Sequence, residues 1–94
     1  MSLFLKLKDF ARTCELAENA GLSVSEAKFD GRHFGYWYVE VCRKGLSPRM
    51  ILWEARDGWV IVQTQRADGS WDDEWIVREP RADTIEEIIA RLRE

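Results

Sequence analysis

Asp72, Asp73 and Glu74 stand in a row between Trp71 and Trp75, the densest set of side chains in the sequence that could do chemistry. Neighbouring carboxylates can hold a hard cation, but Ca²⁺ takes roughly six to eight oxygen ligands and Mg²⁺ a near-octahedral set. Consecutive strand residues point to opposite faces, so only Asp72 and Glu74 can converge, which is too few. His33 is the single histidine and lies in a turn between Arg32 and Phe34. A general base needs an orienting partner and a metal needs several ligands, and spacing supplies neither. Ser25, Ser47 and Ser70 lie outside any nucleophile-elbow context, and no glycine-rich phosphate loop is present. Cys14 and Cys42 have neither zinc nor redox-motif spacing. Arg43, Lys44 and Arg49 flank a loop and read as ordinary loop solubility. No catalytic residue, metal ligand or cofactor is therefore assigned, and an enzyme is not expected.

The elements that position these residues follow from periodicity. Residues 3–20 read as a helix whose stripe takes Leu3, Phe4, Leu7, Phe10, Ala11, Cys14 and Ala17, with Gly21 as its stop. Leu5 and Leu16 fall off that stripe. From about residue 24 the period becomes two. SEAKF (25–29) is a weak first strand, and GYWYVEVCR (35–43) alternates clearly. RMILWEAR (49–56) and WVIVQTQR (59–66) flank Asp57-Gly58, and Asp68-Gly69 precedes SWDDEWIV. Asp-Gly suits a two-residue hairpin turn. A closing helix starts at Asp83 or Thr84, with Glu86 or Glu87 completing a capping box, and buries Ile85, Ile88, Ile89 and Leu92. The expected fold is a single α+β domain over 1–94: N-terminal helix, antiparallel meander of four to five strands, C-terminal helix, helices packed on the sheet.

Two-residue turns fix a register that pairs Arg56 with Trp59, Trp53 with Val62, Arg66 with Trp71 and Val62 with Trp75. Partners share a face. One face then gathers Ile51, Trp53, Ala55, Val60, Val62, Trp75 and Val77 with Trp37, Val39 and Val41, and the helices should cover it. The other gathers Tyr36, Tyr38, Glu40, Cys42, Met50, Leu52, Glu54, Trp59, Ile61, Gln63, Asp72, Glu74 and Ile76. That mixture is not the polar solvent face of a plain two-layer domain. It reads as a recognition surface or dimer interface, unless a further layer such as the first helix covers it. The same register puts Cys14 and Cys42 on opposite sides of the sheet, against a disulfide.

Composition narrows the partner. Hydrophobic residues are 46% and charged residues 33%, ordinary for a globular chain, but five tryptophans are many for 94 residues. Residues 1–66 carry 10 basic and 8 acidic side chains (+2), whereas residues 67–94 carry 4 and 9 (−5), within a net charge of −3. A duplex nucleic-acid binder normally shows a basic footprint instead. Tyr36 and Tyr38 could stack single-stranded bases, but Glu40, Glu54, Asp72 and Glu74 would repel phosphates. No apolar run reaches the roughly 20 residues of a membrane span. The N-terminus lacks a signal-peptide pattern, so the expected location is cytoplasmic.

The WVIV and SWDDEWIV strands, the terminal EEIIARL helix and the acidic last third together resemble the small immunity proteins of bacterial polymorphic-toxin systems. The resemblance covers the whole chain in general features and has no diagnostic motif. It implies a non-enzymatic protein that binds and neutralises a cognate toxin domain. From the face assignment, Tyr36, Tyr38, Leu52, Trp59 and Ile61 are the candidate apolar partner-binding residues, with Glu54, Asp72 and Glu74 as acidic complements. The alternatives are a homodimeric accessory domain using the same face and a single-stranded nucleic-acid binder.

Overall fold

Every strand pairs with its sequence neighbour in one five-stranded antiparallel sheet, order β1-β2-β3-β4-β5. The computed structural model describes residues 3–32 and 35–94, with side chains from residue 7 onward, so His33 lies outside the described residues. Helix α1 (Leu3–Asn19) leads into β1 (Ser23–Asp30), β2 (Tyr36–Cys42), β3 (Arg49–Glu54), β4 (Trp59–Gln65) and β5 (Trp71–Val77), and α2 (Thr84–Leu92) closes the chain. The α+β meander expected from the alternation is the fold observed.

Both helices lie on one side of the sheet. Trp37, Val39, Val41, Ile51, Val60 and Val62 form its buried floor, and Ile85, Ile88 and Ile89 of α2 with Ala17 of α1 close over it. Trp53, Trp75 and Val77 pack at the margin of this core. Each fully buried side chain of this size contributes roughly 1.5–3 kcal/mol, and together they offset much of the ordering entropy. Ala55 does not join them, because it belongs to the turn after β3.

Helix α1 ends in a Schellman motif. The N–H of Leu22 donates to the carbonyl of Ala17 and that of Gly21 to Glu18, with Gly21 at φ +84°. Its buried stripe is rotated from the expected one by roughly a quarter turn at 100° per residue. Phe10, Cys14, Leu16 and Ala20 pack on the core and Thr13 is fully buried, whereas Leu7 is 47% exposed and Ala11 is exposed. The side chains of Leu3, Phe4 and Leu5 lie outside the described residues. Thr13 can be buried because its hydroxyl donates to the Asp9 carbonyl at 2.7 Å, and a polar residue on the core side hides the stripe from an apolar count.

Helix α2 buries the expected isoleucines but starts without the capping box. Asp83 makes no side-chain cap bond, and the Thr84 hydroxyl accepts from the Arg81 N–H at 2.7 Å. Glu86 instead pairs with Arg12 of α1, and Glu87 with Arg81 at 3.3 Å.

The hairpins depart from two-residue turns in different ways. Glu54 pairs with Trp59, so Ala55–Gly58 form a four-residue loop, with Gly58 at φ +75° donating its N–H to the Glu54 carbonyl. The β3–β4 register is thus two residues from the expected one, with Ile51 opposite Val62, and side-chain parity is kept. In the next hairpin Arg66 donates its N–H to the Ser70 carbonyl around a turn with Gly69 at φ +90°. Gln65 then pairs with Trp71 and Gln63 with Asp73, while Val62 pairs with Trp75. Glu74 is the extra residue of a β-bulge. A second bulge lies at Ser25, between the pairs Val24–Val41 and Glu26–Glu40.

Candidate functional site

Three adjacent cross-strand rows lie on the side of the sheet facing away from the helices. The middle row runs Lys28, Tyr38, Leu52, Ile61, Ile76 from β1 to β5. On one flank lie Glu26, Glu40, Met50, Gln63 and Asp73. On the other, Asp30, Tyr36, Glu54 and Trp59 are in register, with Arg78 beyond β5 placing its guanidinium 5.0 Å from the Trp59 ring centroid. Neither helix covers these rows. From Tyr38 to Ile76 the middle row is apolar because each strand alternates, and three successive antiparallel pairings bring its apolar positions side by side.

Of the residues expected to bind a partner, Tyr36, Tyr38, Leu52, Glu54, Trp59 and Ile61 share this face. Leu52 is only 7% exposed although no layer lies above it, so its neighbours on the face bury it. Tyr38 donates its hydroxyl to Glu26 at 2.7 Å, and that bond is the main cause pushing its phenol pKa up. Burial, and then the nearby Glu54 carboxylate, push the Tyr36 phenol up as well.

Asp72 and Glu74 do not share it, and this corrects the expected site. With Asp72 opposite Thr64 and Asp73 opposite Gln63, the first half of β5 has the reverse parity to its second half. Asp72 lies on the helix side and pairs with Arg66. Glu74 accepts from the Thr64 hydroxyl and from Arg49 Nε, the latter at 2.7 Å. Those bonds, led by the one from Thr64, hold its carboxyl below the ordinary value of 4.5 despite some desolvation. The acid that reaches the open face is Asp73, which accepts from Gln63 Nε2 at 2.8 Å.

The acids of the open face were only partly identified beforehand. Glu40 was placed correctly, but Glu26 was missed because SEAKF alternates too weakly to fix its faces. Asp73 was misplaced because the loop carrying Gly69 is longer than an Asp-Gly pair implies. Glu26 and Glu40 are direct cross-strand partners, a like-charge juxtaposition that costs stability. Among the described residues, no arginine or lysine forms an ion pair with Glu26, Glu40, Glu54 or Asp73. On the helix side, by contrast, Asp72, Glu74, Glu86 and Glu87 each meet an arginine.

Cavities open on the helix side of the sheet. A cleft of about 490 Å³ between the helices has Trp37, Trp53, Val60 and Ile85 in its lining, with Lys8, Asp9, Arg12 and Arg81 also present. Burial pushes the Asp9 carboxyl up in this region, opposed by Arg12 and Lys8. A smaller pit of about 220 Å³ is lined by Val41, Val62, Trp75 and Leu92 with Arg43, Arg49 and Arg91. Arg91 lies 4.3 Å over the Trp75 ring. Neither lining brings a nucleophile against a base. Among the described residues no three His, Cys, Asp or Glu side chains converge as metal ligands, and both cysteines are free thiols. No described helix is long and apolar enough to cross a membrane.

Comparison with protein-family models, curated proteins and solved structures finds nothing that matches this chain.

Proposed function

We propose that this chain is a non-enzymatic protein-binding module that docks a partner on the open face of its sheet, and that it serves as an immunity protein neutralising a bacterial toxin domain. The observation that carries the reading is the uncovered row Tyr38–Leu52–Ile61–Ile76, flanked by Tyr36 and Trp59. A sheet face normally alternates to polar where it meets only water, and an apolar band of this length is what partner surfaces bury. Tyr and Trp beside it supply large, rigid contact area of the kind that dominates binding energy. Occluding a toxin's active site or target-docking surface needs only tight binding, which an apolar sheet face can supply.

The test is co-expression with a secreted-toxin reading frame, sought next to this gene. Wild-type protein should protect the cells, and the double variant Tyr38→Ala/Trp59→Ala should fold normally by circular dichroism yet lose protection. Full protection by the double variant would overturn the face assignment, and toxicity unrelieved by the wild type would overturn the immunity role. Sedimentation equilibrium decides the competing homodimer reading, since a stable dimer closed over this face leaves little of it for a toxin. Self-association is disfavoured by charge, because it would confront a copy with the same row of unneutralised carboxylates.

A further inference from the structure

We infer that the occupant of the open face is a cationic amphipathic helix of the partner protein, lying across the strands with lysine or arginine along one flank. This rests on the docking-face reading above and adds the partner's chemistry and shape to it.

Shape comes from the rows. Strands about 4.8 Å apart make the apolar stretch of the middle row, from Tyr38 to Ile76, roughly 14 Å long across four strands, and successive rows stand about 7 Å apart. The apolar band therefore comprises the middle row and, beside it, Tyr36 and Trp59. A helix about 10–12 Å across with side chains fits that width, and about 10 residues at 1.5 Å rise span its length. A second sheet would press rows of its own onto both flanks and bury Glu26, Glu40 and Glu54 against an apolar layer. Unpaired buried carboxylates cost too much for that arrangement.

Charge comes from the flank that holds Glu26, Glu40 and Asp73. Tyr38 and Gln63 give hydrogen bonds to two of them, yet none has an ion-pair partner among the described residues. Arg78 stands at the far end of the other flank, and Lys28, diagonal to Glu40 and two residues from Glu26, forms an ion pair with neither among the described residues. A lysine or arginine flank on the incoming helix would neutralise the acidic row and fix which way the helix points. Nucleic acid and anionic lipid carry the wrong sign.

Three synthetic helical peptides of about 14 residues test this on the whole chain. One carries a leucine stripe with lysine on one flank, one has the same stripe with glutamate, and one scrambles the lysine peptide. The expected result, from amide chemical-shift titration at low salt, is that the lysine peptide moves Tyr38, Leu52, Ile61 and Ile76. The other two peptides should not. Glu26→Gln/Glu40→Gln should weaken that binding by about three- to tenfold, as should raising the salt. Equal binding of the glutamate or scrambled peptide would overturn the charge assignment while leaving the docking face intact. Absence of shifts on the face, with toxin protection still lost in Tyr38→Ala/Trp59→Ala, would overturn the helix alone. Absence of shifts together with full protection by the double variant would remove the face as well.

Discussion

Ile51 and Leu52 are adjacent on β3 and both buried, at 0% and 7% exposure, but they point to opposite faces. Ile51 lies in the core that the helices close, whereas Leu52 is covered only by side chains of its own layer. Truncating either to alanine removes three carbons, about 2.4 kcal/mol at roughly 0.8 kcal/mol per methylene. At Ile51 the neighbours on both sides hold their positions. A retained void on the order of 60–80 Å³ then adds about 1.5–2 kcal/mol at 24 cal/mol per Å³. The expected cost of Ile51→Ala is about 4 kcal/mol, a large share of the roughly 5–14 kcal/mol a domain of this size has. At Leu52 the gap opens to water and the Tyr38 and Ile61 side chains can lean into it. No closed void survives, and the cost should stay near the transfer term, about 2.4 kcal/mol. Urea unfolding followed by tryptophan fluorescence reads both, and the Ile51→Ala midpoint should shift clearly further. Equal shifts would refute the one-sided architecture, and a Leu52→Ala shift that depends on protein concentration would show a second copy covering the face.

Two other perturbations probe the hairpins. Glu74 has its carboxyl pKa depressed in the folded state, chiefly by Thr64 and then by Arg49. Its contribution to stability is fully present above the ordinary value of 4.5 and is lost as pH falls through the lower folded value. Melting temperatures of wild type and Glu74→Gln should therefore differ at neutral pH and converge in acid, and a constant difference would contradict the linkage. Gly69 sits at φ +90° with open space where a Cβ would go, so Gly69→Ala should cost about 1–2 kcal/mol from backbone strain alone. An unchanged urea midpoint would show that the loop relaxes.

The strand faces were legible in the sequence because alternation is a two-residue signal, and errors of two residues leave it unharmed. The loop after β3 is two residues longer than its Asp57-Gly58 pair implied, yet Ile51, Trp53, Val60 and Val62 still face the helices. The loop before β5 alters the pairing by one residue until Glu74 restores it, and that single step moved Asp72 off the open face and Asp73 onto it. Composition cannot reveal how much longer than two residues an Asp-Gly loop is, since Gly58 and Gly69 both take positive φ in loops of different length. The α1 stripe was misjudged for another reason: a threonine that bonds its own backbone can occupy a core position that hydropathy assigns to water.

Sheets of this kind have two ends as well as two faces, and both outer strands, β1 and β5, carry a bulge. A bulge bends its strand and sharpens the local twist, so the free backbone groups along that edge no longer form a straight template. Charges add to this: Glu26 and Lys28 stand on β1, and Asp72, Asp73 and Glu74 on β5. Both devices work against a second chain lengthening the sheet at either end. Association is thereby channelled onto side chains, where sequence sets the choice of partner, and away from backbone pairing, which would accept any extended strand.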